Sequence, residues 1–159
     1  MAIRNIVQVG DDILNKECRL VERFDDKLHQ LLDDMQETLS QANGAGLAGP
    51  QVGVLRQICI VDVGDGPIEL INPEIVATEG EQDGPEGCLS FPEEWGMVTR
   101  PMKVTVKAQN RKGKWFEITG DELCARAFCH EIDHLHGVVF TKRASRMLTP
   151  EEIEALKES

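Results

Sequence analysis

The chain has 159 residues, five cysteines, 28 acidic against 17 basic side chains and a formal net charge of -11. That length supports one domain, spanning 1–159, able to bury about two thirds of its chain surface without disulfide staples. An acidic balance leaves no basic face for phosphates, so no direct nucleic-acid binding is expected, and no apolar run approaches membrane-spanning length.

Met1-Ala2-Ile3-Arg4 opens no apolar signal segment, and Cys18, Cys59, Cys88, Cys124 and Cys129 contain no C-x-x-C pair. A reducing compartment, the cytoplasm, is therefore expected. Asp11 to Glu17 reads as a short helix. Asp25 to Ala42 reads as an amphipathic one, because Leu28, Leu31, Leu32, Met35, Leu39 and Ala42 recur at helical spacing before the terminator Asn43-Gly44. Strands are predicted over 57–63, 68–71, 76–79, 97–98, 104–109 and 115–119, with Asn110-Arg111-Lys112-Gly113 as a hairpin turn. A helix is predicted over 120–136, from a capping box at Thr119-Gly120-Asp121-Glu122 to a left-handed Gly137. Val138 to Thr141 reads as an edge strand. A last helix begins at Thr149-Pro150-Glu151-Glu152, a second capping box with proline at the first helical position. The fold class that follows is α+β, with mainly antiparallel sheets around the helix over 120–136, an N-terminal amphipathic helix and a short C-terminal helix.

That central helix carries His130-Glu131-Ile132-Asp133-His134, an H-E-x-x-H run. Residues four apart lie one turn apart on one helical face, so both imidazoles meet one ion while Glu131 projects beside them to move a proton. Leu123, Ala127, His130 and His134 share a face, with Phe128, Ile132 and Leu135 as a second apolar stripe, so the histidines face protein. A lone histidine there would be a satisfied core residue; a pair around a glutamate is hard to explain by packing.

Two histidines leave a hydrolytic tetrahedral site one protein ligand short. His136 lies only two beyond His134 on a different face, and the tail offers Glu151, Glu152 and Glu154. Upstream, Glu86-Gly87-Cys88-Leu89-Ser90 supplies a better donor in Cys88, beside a glycine that permits close backbone approach. The glycine-rich Gly44-Ala45-Gly46-Leu47-Ala48-Gly49-Pro50-Gln51 is no phosphate loop, since no Lys-Ser/Thr pair follows and it ends a helix.

These three runs, in this order and spacing, resemble the motifs of peptide deformylases over nearly the whole chain. The resemblance implies a single catalytic domain that removes the N-formyl group from the N-terminal formyl-methionine of new proteins. It implies Cys88, His130 and His134 as metal ligands and Glu131 as general base and acid. It also implies that the Gln51 side chain and the Leu89 backbone N–H stabilise the oxyanion and that Arg100 with Asp133 forms a supporting ion pair. Gly44, Ala45, Gly46 and Glu86 are expected along the substrate path. Helix geometry places the pocket for the first side chain at Leu123, Ala127 and Gly84, with Arg126 at its rim. Ligand softness alone leads to Zn2+; the resemblance implies Fe2+, with Zn2+, Ni2+ or Co2+ able to occupy the same site. Its partners would be N-formyl-methionyl nascent peptides and the ribosome near its exit tunnel. Two positions depart from the family pattern. Gly49 replaces the commonest alanine, from which a looser Gln51 loop is expected, and Cys129 replaces a glutamine. An H-E-x-x-H zinc peptidase and a non-catalytic metal-binding relative are the rival readings.

Overall fold

The computed structural model describes residues 2–158. Helix α1 (Asp26–Ala42) leads to β1 (Gly46–Ala48), β2 (Ile58–Val61), β3 (Ile68–Glu79), β4 (Gln82–Cys88), β5 (Phe91–Arg100), β6 (Lys103–Gln109) and β7 (Trp115–Asp121). Helix α2 (Glu122–Leu135), β8 (Arg146–Met147) and α3 (Pro150–Glu158) follow. One antiparallel sheet runs β1-β2-β3-β6-β7 and a second runs β4-β5-β8.

Alternation along the strands turns the larger sheet into a partition between two helices. On β2, Ile58 and Ile60 join Leu28, Leu32, Met35 and Leu39 of α1, whereas Cys59 and Val61 join Phe128, Ile132 and Leu135 of α2. Both faces of β2 are buried, which accounts for its unbroken apolar run. The ends of α1 are fixed locally. Asp25 accepts the Leu28 N–H at 3.1 Å, and Asn43 turns left-handed at φ 59°. Gly137 also takes a left-handed φ of 74° just beyond α2, as its position predicts. At α3 the expected capping box forms: Thr149 Oγ1 accepts from Glu152 N, and Glu152 Oε1 accepts from Thr149 N.

Several elements differ from the sequence reading. Residues 11–17 hold only a 3-10 turn, Asp12–Asn15. The segments predicted at 68–71 and 76–79 are one long strand, bent where Asn72 adopts φ 52° before Pro73 and holds both backbone groups of Val21. Strands β1, β4 and β8 were not predicted, and β5 is far longer than 97–98. Residues 138–141 contain no strand; Phe140–Lys142 is a 3-10 turn that buries Phe140 against Phe91. The box at Thr119 is absent, because β7 continues to Asp121 and the Thr119 hydroxyl bonds Thr105 across the sheet.

Gly49 is the sharpest correction. It is buried at the start of the 3-10 turn carrying Gln51, and a Cβ there would stand 2.7 Å from the Val54 carbonyl oxygen and 2.9 Å from that of Arg56. The loop is close-packed against this glycine, so the missing methyl brings contact and not freedom. Gly49→Ala is accordingly expected to lose about 1–3 kcal/mol in denaturant unfolding as the 54–56 backbone is pushed away. Unchanged or increased stability would show that this loop yields without cost.

Candidate metal and catalytic site

The turn Leu89–Ser90 between β4 and β5 delivers Cys88 to the buried face of α2. Donor atoms of Cys88, His130 and His134 all lie within 4.8 Å of one another, and Cys88 Sγ stands 3.4 Å from His134 Nε2. Ligand bonds of about 2.0–2.3 Å at tetrahedral angles put donor atoms about 3.3–3.7 Å apart, so this triangle fits one ion with a small inward adjustment. Among the described residues no other cluster of this kind occurs. Neither His136 nor the downstream acids join it: Glu152 is paired with Arg146, and His136 with Glu17 at 2.5 Å.

The ring of His130 is fixed from behind. Its Nδ1 lies 2.7 Å from Glu86 Oε2, which turns Nε2 toward the cluster. Glu86 in turn receives Arg100 Nε at 3.0 Å, Arg100 Nη2 at 2.7 Å and Arg126 Nη1 at 3.0 Å. Arg100 also donates to Asp133 at 2.8 Å, joining β5 to α2 as expected. Burial alone would raise the Glu86 pKa, but bonds from His130 and Arg100 hold it at about 2.

Electrostatics divide the two imidazoles. Burial opposes charge on His130, yet the Glu131 carboxylate, Cys88 and Glu86 outweigh it and lift its pKa well above the usual value. Burial, then the charge on His130, pushes His134 down to about 3. The site thus favours one positive charge between two rings whose centroids are 4.9 Å apart. Burial raises Glu131 to about 7, against the pull of His130, and its Oε1 is buried with no hydrogen-bond partner. Glu131 Oε2 lies 3.9 Å from His130 Nε2, beside the donor cluster and not within it.

A cavity of about 500 Å³ opens in front of these groups. Gly44, Ala45 and Gly46 form one wall, Pro85 to Leu89 another, and Leu123, Arg126 and Ala127 come from α2. A methyl on Gly46 would collide with the Glu131 carboxylate, so only glycine fits beside it. Gln51 is buried, its Oε1 accepting the Ala48 N–H at 3.0 Å and its Nε2 lying 3.4 Å from Cys88 Sγ.

Three assignments change. Glu86 touches the cavity, but its carboxylate is engaged by two arginines and His130, which makes its side chain a support of the site. Arg126 lines the cavity but is buried against Glu86 and the Val98 carbonyl; Leu123, 54 % exposed, takes the mouth. Gly84 does not line the cavity and packs against the Arg126 guanidinium. Sequence reasoning also passed over Phe91, Trp95 and Ser90. The first two line the cavity. Ser90 accepts from Gln51 Nε2 at 3.0 Å and carried a signal, since it closes the E-G-C-L-S run.

Comparison with known proteins gives the family. The sequence profile described as polypeptide deformylase matches residues 3–149. A peptide deformylase of Caldicellulosiruptor bescii is 53% identical over 154 residues, covering 97% of this chain and 93% of that protein. The crystal structure of peptide deformylase from Thermotoga maritima superimposes with a TM-score of 0.88 at 40% identity, covering 90% of this chain and 98% of that one. A Met-Ala-Ser-bound class I type b peptide deformylase from Acinetobacter baumannii gives 0.84 at 32% identity, covering 89% and 98%. The chain belongs to the polypeptide deformylase family.

Proposed function

We propose that this chain is a metal-dependent hydrolase, one catalytic domain throughout, that removes the formyl group from N-terminal formyl-methionine of new proteins. The observation that carries the reading is the convergence of Cys88, His130 and His134 beside a buried carboxylate, Glu131, at the end of a peptide-sized cavity. A divalent ion held by those three residues supplies Lewis acidity, polarising a carbonyl and making water easier to deprotonate. Fe2+ is the proposed native ion, following the family; Zn2+, Ni2+ and Co2+ suit the same donors. Five free cysteines fit a reducing cytoplasm, and among the described residues no helix is long and apolar enough to cross a membrane. The proposed setting is the nascent chain near the ribosome exit.

The substrate backbone has two free strand edges to meet. β1 pairs only with β2 and β4 only with β5, and both line the cavity. An extended peptide would bond between Gly44–Gly46 and the β4 side, its formyl end reaching Glu131. Glu131 Oε1 takes the proton of the attacking water and returns it to the departing amine nitrogen, a reuse for which a pKa raised toward neutrality is suited. The backbone N–H of Leu89 and the Gln51 amide face the developing oxyanion, where one donor is typically worth about 10²–10³ in rate. The relative bound to Met-Ala-Ser supports a pocket that accepts methionine first. Ala127, 6 % exposed on the α2 face shared with Leu123 and His130, is proposed to floor it. A zinc peptidase would need a third ligand elsewhere, and a decayed relative would not be expected to keep Gln51, Cys88, His130, Glu131 and His134.

Metal analysis of protein prepared without air, paired with deformylation of formyl-Met peptides for each reconstituted ion, tests the reading directly. Cys88→Ala should strip or sharply weaken the metal, and tight stoichiometric metal in that variant would remove Cys88 from the ligand set. Glu131→Gln should keep its metal while kcat drops by about 10²–10⁴; loss of metal with unchanged turnover would contradict the proton-transfer role. Ala127→Trp should raise KM for formyl-Met peptides at least about tenfold with metal retained. An unaltered KM would place the pocket elsewhere.

A further inference from the structure

We propose that Ser90 is a positioning residue for the reaction: its hydroxyl holds the Gln51 carboxamide at the angle from which it meets the oxyanion. The inference rests on the deformylase reading of the site. Gln51 and Ser90 are 1 % and 0 % exposed. The Ala48 N–H can only donate, so its 3.0 Å bond identifies Oε1 and fixes the other end of the amide as NH2. Of the groups near that NH2, Ser90 Oγ accepts at 3.0 Å, while Cys88 Sγ stands at 3.4 Å. The terminal torsion of glutamine is broad, so an amide held at one end alone would swing. Ser90 is the second anchor.

The backbone beneath both residues is joined as well. Val7 N donates to the Gln51 carbonyl at 2.7 Å, and Val9 N donates to the Ser90 carbonyl at 2.8 Å. One segment, using alternate N–H groups, thereby ties the 3-10 turn of Gln51 to the β4–β5 turn of Ser90. A serine that merely completed its own turn would bond its hydroxyl to nearby backbone; this one bonds a side chain 39 residues away. Because the clamped N–H group also lies beside Cys88 Sγ, Ser90 sets both the oxyanion donor and the surroundings of the sulfur.

The test uses full-length wild type, Ser90→Ala, Ser90→Thr, Gln51→Ala and the double variant Ser90→Ala with Gln51→Ala. With Zn2+ bound, nuclear magnetic resonance of wild type should show two resolved, slowly exchanging Gln51 side-chain N–H signals, and Ser90→Ala should lose that protection. With Co2+ bound, the sulfur-to-metal charge-transfer band should shift in Ser90→Ala and stay in place in Ser90→Thr, which keeps the hydroxyl. Ser90→Ala should lower kcat about tenfold with KM within about twofold, a fraction of the loss from deleting the donor outright. In the Gln51→Ala background it should cost less than about twofold, since the group it positions is gone. Equal losses in both backgrounds, or a wild-type Gln51 amide exchanging as fast as an exposed one, would overturn the proposal, and the second result depends on no variant folding. Protected Gln51 signals in wild type and a band that Ser90→Ala shifts, alongside a wild type that deformylates nothing, would uphold the clamp and sink the activity instead.

Discussion

The Glu86 carboxylate is the contact on which the site depends. It is a buried charge touched by Arg100 from β5 and by Arg126 and His130 from α2, so one side chain of β4 joins three elements. A carboxylate moved out of water without partners is penalised by several kcal/mol. Here two guanidiniums offset that cost, one of them side-on through two parallel bonds. With Asp133, which also pairs with Arg143, the cluster links three guanidiniums to two carboxylates. Such a cluster contributes little net stability compared with an apolar core, but deleting one member strands the rest and typically costs about 3–5 kcal/mol. Its value is geometric: α2 can dock on β4 and β5 in only one register, the one that aims His130 Nε2 into the donor cluster.

Two short pieces of local structure then do most of the positioning. On α2, helical spacing puts His130 and His134 one turn apart and leaves Glu131 to the side, with Gly46 pressed against its carboxylate. On the β4–β5 hairpin, three consecutive residues are the proposed metal ligand Cys88, the proposed backbone donor Leu89, and Ser90, which bonds Gln51. The hairpin is held on its far side by β8, and Val98, Phe91 and Phe140 share a small core beneath it. Errors in the placement of Cys88, Leu89 and Ser90 are therefore coupled, since a shift of the turn moves all three.

Periodicity made α1 and α2 legible in the sequence, and capping chemistry made α3 legible, because those signals are local. The donor set was legible as well, through helical spacing and the E-G-C-L-S run. Strand β4 was not: Asp83-Gly84-Pro85-Glu86-Gly87 has neither alternation nor strand formers, and it is extended because β5 supplies a ladder on one edge. The false capping box at Thr119 shows the converse. Its residues suit a cap, but a cross-strand partner at Thr105 claims the hydroxyl, and the turn into α2 is made by Glu122 at φ 51°. Glu86 was misread for a similar reason. Nothing in its neighbours along the chain shows that Arg100, Arg126 and His130 converge on it, for that is decided by three elements meeting.

The same convergence explains why this site favours a cation. Cys88, Glu86 and Glu131 gather around the two imidazoles, while the guanidiniums of Arg100 and Arg126 are tied up by bonds to Glu86. The negative potential that remains falls on the imidazoles, raising one and, through the charge so favoured, depressing the other. Two protonated rings at 4.9 Å would repel in a medium that screens poorly, so protons alone satisfy the site with a single charge. A divalent ion held by both rings and the sulfur would leave Glu131 beside it, outside the donor set. Under the proposed roles, the proton-moving Glu131 stays distinct from the ligands, although it neighbours His130 on the same turn of helix.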